Sequence, residues 1–284
     1  MDRRIREIGR ALDADQSTAR RDVLRWRRLI ANSNNLLRPP MTENLFTSQS
    51  TVGEIVAAHP LLARIFEGVG IDYCCGGKRS LAAACAARGL DATTLVLTLT
   101  AAAQLPRDAG AAVDPAKMSL TELADHIEAT HHAYVKSELP ALLEKAERVA
   151  TKHGWRDARL PEVAATVGAL HDEMFSHMMK EEQILFPMVR EIERGAADAS
   201  AHCGTIANPI RVMEAEHENA GGAIARLREL TDGFTPKPDD CNTHRALLAG
   251  LAQFEADLHL HVHKENNVLF PRALAREGQM AGAQ

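Results

Sequence analysis

From Ser119 onward, apolar positions recur at helical spacing almost without interruption. Four long segments carry the pattern. The first covers about 119–152, opening on the capping box Ser119-Leu-Thr-Glu122 and closing at Gly154. The second has Pro161 near its start and runs to about Gly195. The third opens at Asn208-Pro209 and ends at Gly233, and the fourth runs from about Thr243 to Arg276. Four long helices joined by short or moderate loops predict an up-down four-helix bundle over 118–276, with a tail at 277–284. Upstream, 51–104 predicts a small helical unit. Thr51 to Glu54 forms a capping box, His59-Pro60 breaks the first helix, and Leu61, Leu62, Ile65, Phe66 and Val69 mark a second. Gly68 and Gly70 stop it, Cys74-Cys75-Gly76-Gly77 follows as a turn, Ser80 to Ala87 reads as a third helix, and Asp91 caps a fourth. A linker at 105–117, holding Pro106, Gly110 and Pro115, separates the two units.

Composition narrows the class without changing this picture. Aromatics make up only 4% of the chain, poor material for a β-sandwich, so the fold class is all-α. No run of 18 apolar residues is present, which argues against a transmembrane helix. The net charge of −5 is uneven: residues 1–40 carry +5 and the remainder −10. Arg20 to Arg28 could form a basic helix, but the acidic body gives nucleic acid little electrostatic support. The basic extension at 1–50 is expected to be disordered, or untranslated as far as Met41. It lacks the apolar stretch of a secretory signal. Five cysteines, an odd number, are not a disulfide framework, and with no secretory signal they point to a reducing, cytoplasmic setting.

The chemistry sits in the bundle, where 12 of the 13 histidines lie at or after His126. HMMKEEQILFP at 177–187 is echoed 84 residues later by HVHKENNVLFP at 261–271. In each, His and Glu are four apart, so His177 shares a helix face with Glu181, and His261 with Glu265. Pro187 and Pro271 delete a backbone hydrogen bond at matching heights, which predicts that both helices kink or end there. His132 precedes His177 by 45 residues and His217 precedes His261 by 44, placing one histidine on each helix at similar depth. Four imidazoles and two carboxylates suit two borderline metal ions rather than one. The His-Glu-x2-His of zinc peptidases and the Glu-x2-His of ferritin-like carriers are both absent.

These phrases resemble the haemerythrin-like domain of the iron–sulfur cluster repair di-iron proteins. IDYCCGG at 71–77 is similar to the small Cys-Cys domain that precedes it in the same family. The resemblance covers roughly 51–276. It implies a haemerythrin-like bundle and a non-haem centre of two iron ions; since two carboxylates offset only two charges of two divalent cations, an oxo or hydroxo bridge is expected to supplement them. It further implies repair of clusters damaged by nitrosative or oxidative stress, through iron donation or nitric oxide removal, in a cytoplasmic homodimer. The implied ligands are His132, His177, Glu181, His217, His261 and Glu265, with both glutamates bridging. The family pattern sets the ligand eight residues before a Leu-Pro proline, which selects His132 over His131 by way of Pro140. Damaged iron–sulfur proteins would be the clients, an external electron donor is an open requirement, and neither nucleic acid nor membrane is expected as a partner.

Other residues receive narrower expectations. Cys74 and Cys75, held in a glycine turn, are candidates for redox or iron transfer, while Cys85 on an Ala-rich helix is expected in the core. Glu173, one turn before His177, is the candidate to support a ligand from outside, and Glu216 is a weaker one. His259 and His263 are expected to point away from the site, and His126, His171, His202 and His244 to be surface or core groups. Two alternative functions use the same ligands: an oxygen- or nitric oxide-binding sensor, and an oxidoreductase that consumes nitric oxide. No flavin or nicotinamide fingerprint is present, so the latter would draw electrons from a partner.

Overall fold

A computed structural model describes residues 45–104, 114–195 and 204–281. The expectations for the N-terminal extension up to residue 44, the linker at 105–113, His202, Cys203 and residues 282–284 lie outside these. The described residues are helical, with one isolated bridge between Thr51 and Ser80 and no strand. Phe46–Gln284 forms one compact unit.

The small N-terminal part begins with α1 (Val52–Ala58), opened by the capping box in which Thr51 and Glu54 satisfy each other's backbone amides. Pro60–Leu62 makes a 3-10 turn into α2 (Ala63–Gly68), and Gly70, at φ +69°, reverses the chain. The Cys-Cys segment is the 3-10 turn Cys75–Lys78. α3 (Leu81–Arg88) is capped by Ser80, and α4 (Ala92–Ala103) by Asp91. Phe66, Tyr73, Leu81, Cys85 and Leu99 join a core of their own. Among the described residues no single helix is long and apolar enough to cross a membrane. The bent pair α3 and α4 passes by length and composition only, and its Leu81, Leu95 and Leu99 are buried in this core.

The first bundle helix consists of α5 (Leu120–Ile127), a π turn at Glu128–His132 and α6 (Ala133–His153). The second is α7 (Leu160–Lys180), a π turn at Glu181–Leu185 and α8 (Phe186–Glu193). The third is α9 (Ala207–Leu230). The fourth is α10 (Asn242–Lys264), a π turn at Glu265–Leu269 and α11 (Phe270–Ala281). The helices neither end nor break at Pro187 and Pro271. Each proline instead lies in the first turn of a new α segment, where its missing N–H is tolerated. The strain is taken up one turn earlier, where Phe186 N–H donates to the Glu181 carbonyl and Phe270 N–H to that of Glu265, each five residues back.

α6 packs on α7 and α10, and α7 packs on α9. The Cys75–Lys78 turn lies against both α9 and α10 and the π turn between α10 and α11. The bundle core comes in two apolar clusters. One holds Val135, Leu139, Met174, Met178, Ile224 and Leu258 among others, and the other holds Leu123, Ile127, Phe186, Ile210, Met213 and Phe270. On every helix the predicted metal ligands fall between the two. The far cluster is closed by Glu193, whose carboxylate accepts from the free amides of Leu120 (2.7 Å) and Thr121 (2.9 Å) at the start of α5.

Candidate metal centre

All six residues predicted from the repeat meet in that layer. His132, Glu181, His261 and Glu265 are fully buried, and His177 and His217 are 2% exposed. Their donor atoms form two groups of four: His132, Glu181, His261 and Glu265 in one, His177, Glu181, His217 and Glu265 in the other. Within each group the atoms lie within 4.8 Å of one another, and both glutamates belong to both groups. The helix packing order sets the partition, joining first-helix to fourth-helix histidine and second to third.

The contacts inside the layer are close, and few are aligned as hydrogen bonds: His261 Nε2 donates to Glu265 Oε1, and the Nε2 atoms of His177 and His217 bond at 3.1 Å. Glu181 Oε2 is 3.3 Å from His132 Nε2 and 3.2 Å from His177 Nε2. Glu265 Oε2 is 3.1 Å from His217 Nε2 and Glu265 Oε1 is 3.0 Å from His261 Nε2. Even so, His132 Nε2, both Glu181 oxygens and Glu265 Oε2 have no hydrogen-bond partner. Donor atoms that crowd this closely with so few bonds among them are aimed at common points between them. Two adjacent buried carboxylates are costly without compensating cations. Burial and Glu265 push the Glu181 carboxyl up, yet the His177 and His132 imidazoles win and hold it below the usual range. Burial likewise raises Glu265, and His261 and His217 pull it well down. Both are therefore carboxylates. Neutral imidazoles and carboxylates on two shared points are the donor set of a pair of borderline or hard cations, so the residues fit such a centre.

The outward nitrogens of three imidazoles are held by acceptors. His132 Nδ1 donates to Glu182 Oε1 (2.8 Å), itself gripped by Lys136 at 2.6 and 2.9 Å. His177 Nδ1 donates to Glu216 Oε2 (3.0 Å), which also takes Lys180. His217 Nδ1 donates to Asn266 Oδ1 (2.9 Å). Such partners fix the tautomer and ring orientation and make the inward nitrogen a stronger donor. Glu216 fills a role expected of it only weakly, and its bond to His177 first of all draws its carboxyl down to about 2. Glu173, the favoured candidate, is instead exposed on α7, turned away from the layer. Glu182 and Asn266 were missed. Their signal was positional, since each directly follows the layer glutamate of its repeat. Phe186 and Phe270 stack on His132 (5.6 Å) and His217 (6.1 Å), so the Leu-Phe-Pro phrase also walls the site.

The remaining histidines divide. His131 is buried but turns from the layer, stacking on His261 with ring centroids 5.3 Å apart. His263 and His259 point to the far side, as expected, but that side is where the small unit docks. His263 Nδ1 is 3.3 Å from the Tyr73 carbonyl, and both rings meet the Tyr73 ring edge-on. His171 lies on Phe175, and His244 pairs with Asp240.

The Cys-Cys turn sits on the other face of the same helices. Cys74 is buried with the bundle core, and Cys75 Sγ donates to the His217 carbonyl at 3.7 Å. Asp72 accepts from the amides of Cys74 and Gly76 (2.9 Å each) and from Cys74 Sγ (3.1 Å). Asp72, Cys74 and Cys75 form a third group able to hold an ion. The two cysteines are free thiols, and the hydrogen bond with Cys75, then burial, pushes the Cys74 thiol up. Cys85 is buried in the small core, as expected.

A four-helix bundle with a central layer of four histidines and two shared glutamates defines a haemerythrin-type cation-binding protein. Residues 123–273 match the family model described as the hemerythrin HHE cation binding domain, and 48–103 match the one described as domain of unknown function DUF542. Similar proteins include the iron-sulfur cluster repair protein YtfE of Enterobacter sp. (strain 638), 38% identical over 226 residues. Those of Citrobacter koseri and Escherichia coli O157:H7 are each 37% identical over the same length. Each alignment covers 80% of this chain and 97% of the relative. The chain belongs to this family of iron–sulfur cluster repair proteins.

Proposed function

We propose that the layer holds two iron ions and that the protein repairs iron–sulfur clusters damaged by nitrosative or oxidative stress. The observation that carries this is the pair of four-residue donor groups sharing Glu181 and Glu265. It is joined by relatives that bear the repair name over nearly their whole length. When bound, the ions supply transferable iron and a site for nitric oxide. The chain's own residues do the rest. His132 with His261 and His177 with His217 would each hold an ion, Glu181 and Glu265 would be shared between the two, and Phe186 and Phe270 wall the layer. The Asp72–Cys74–Cys75 turn against His217 offers soft thiol donors beside the store, which favours repair by iron donation over a sensor or a nitric oxide-consuming oxidoreductase. In this reading the small unit, about 51–104, and the bundle, about 118–276, act together, the one presenting thiols and the other holding iron. The protein would work as a homodimer in the cytoplasm, on damaged iron–sulfur proteins, with reducing electrons from an external donor.

The test is His177→Ala. Iron analysis is expected to fall from two ions per chain, and the variant to fail in reactivating a nitrosylated cluster enzyme in vitro. Reactivation equal to the unsubstituted protein would overturn the reading.

A further inference from the structure

The two HxxxE helices carry corresponding groups around the layer, and the difference that reaches a layer imidazole lies where Glu216 and His131 stand. Glu182 and Asn266 follow the two shared glutamates, and each accepts from the imidazole of a neighbouring helix. Phe186 and Phe270 cover the same two imidazoles. Lys180 and Lys264 precede the glutamates, and each reaches the residue just before a layer histidine. Lys180 thereby meets Glu216, but Lys264 meets His131. Glu216 accepts from His177 Nδ1. His131 occupies the equivalent position beside His261 and accepts nothing from it.

The reason lies in the hydrogen bonds of His131. Lys264 Nζ, with three hydrogens to give and no lone pair, donates to His131 Nε2 (2.6 Å) and His126 Nε2 (3.0 Å). That leaves His131 Nδ1 as the N–H, which donates to Asp257 Oδ1 (2.9 Å). Both ring nitrogens are then engaged. The ring lies parallel to His261, within 1°, so it shows that imidazole a face and no acceptor. His261 Nδ1 is accordingly buried without a hydrogen-bond partner. Once Nε2 is given to an ion, Nδ1 must carry the hydrogen; a buried N–H left unmade is costly, and a ligand imidazole without an acceptor is both less basic and less firmly oriented. One ion position thus has two supported imidazoles, His177 and His217, while the other has one, His132.

We infer that the two ions are held unequally, that the ion between His132 and His261 is the one surrendered first, and that His131 is the positioning residue responsible. The inference rests on the two-ion reading above and adds which ion is the cargo. A chain of contacts runs outward on the same side, from His261 through His131 and Lys264 to His126. His126 lines a surface cavity of about 580 Å³ together with Asp114, Glu122 and Asp125.

The test is to load the full chain anaerobically with ferrous iron and mix it with a chromogenic ferrous chelator. Two equal phases of iron release are expected. His131→Glu sets a carboxylate under His261 with Lys264 beside it, as Glu216 stands with Lys180. It is expected to slow the fast phase by about 10- to 100-fold and leave the slow one unchanged. His131→Gln, a neutral acceptor like Asn266, is the second variant should the first not fold. Glu216→Ala is expected to speed the slow phase alone. Release of both ions in one phase would overturn the inference while leaving the two-ion reading intact. So would a fast phase untouched by either folded His131 variant. Binding of fewer than two ions per chain would overturn both.

Discussion

His177 shows how the layer balances its own charge. Burial works against a charge on this imidazole, but Glu181, then Glu216 and Glu265, overcome it and push the group up to about 10. At neutral pH the metal-free protein therefore keeps a proton on His177, and protons substitute for part of the missing cation charge. Loading ions must expel that proton. An indicator dye should report proton release on loading, and cation affinity should rise between about pH 6 and about pH 8. Affinity independent of pH would contradict this account. The metal-free fold responds in the opposite sense. Because the folded value lies above the unfolded 6.5, the His177 contribution to stability is full below pH 6.5 and is lost as the pH climbs through 10.

Among the elements, those with local causes were legible in the sequence. Thr51, Ser80, Asp91 and Ser119 announce their helices because a cap depends only on residues three positions away. The π turns were not legible. A π turn is a single extra residue inside a helix, and it leaves the 3.6-residue pattern on either side intact. Pro187 and Pro271 signalled a disturbance of each helix, but no break falls at them, and the widening lies a turn earlier, on Glu181 and Glu265 themselves. Nor could the sequence show that Glu193 caps α5, because the two are 73 positions apart. Burial raises the Glu193 carboxyl, but the Thr121 hydroxyl and the amides it receives more than reverse this, so its folded value is lowered. Its contribution is present above the ordinary glutamate range and lost as the pH falls below it. Glu193→Ala is expected to cost about 1 kcal/mol at neutral pH. Glu193→Gln should flatten the acid side of the stability–pH curve, read by urea denaturation. An unchanged acid limb would remove Glu193 from its role.

At the scale of the molecule, the ligand histidines were visible because a repeat displays its members in order, while their pairing required the helices' arrangement in space. The docking of the small unit was hidden for the same reason. Asn267 donates to the carbonyls of Cys74 (3.0 Å) and Tyr73 (3.4 Å), and its amide fills the space where a Cβ on Gly53 or Gly77 would stand. Gly77→Ala must therefore displace Asn267 and lose both bonds, a cost of about 1–3 kcal/mol. In an Asn267→Ala background the same substitution should cost far less, because the collision is gone. A thermodynamic cycle of the two variants measures the coupling, and strict additivity would refute it. The span of this contact has a further consequence. His263 meets Tyr73 across 190 positions of chain, and the ligand layer closes only when His261 and Glu265 arrive on the fourth bundle helix. During synthesis the Cys-Cys turn and three of the four imidazoles emerge with neither partner nor complete site. Such distant pairing folds slowly, since loop closure precedes its reward. The six-residue layer is thus completed only after its fourth helix has been made, long after the Cys-Cys turn.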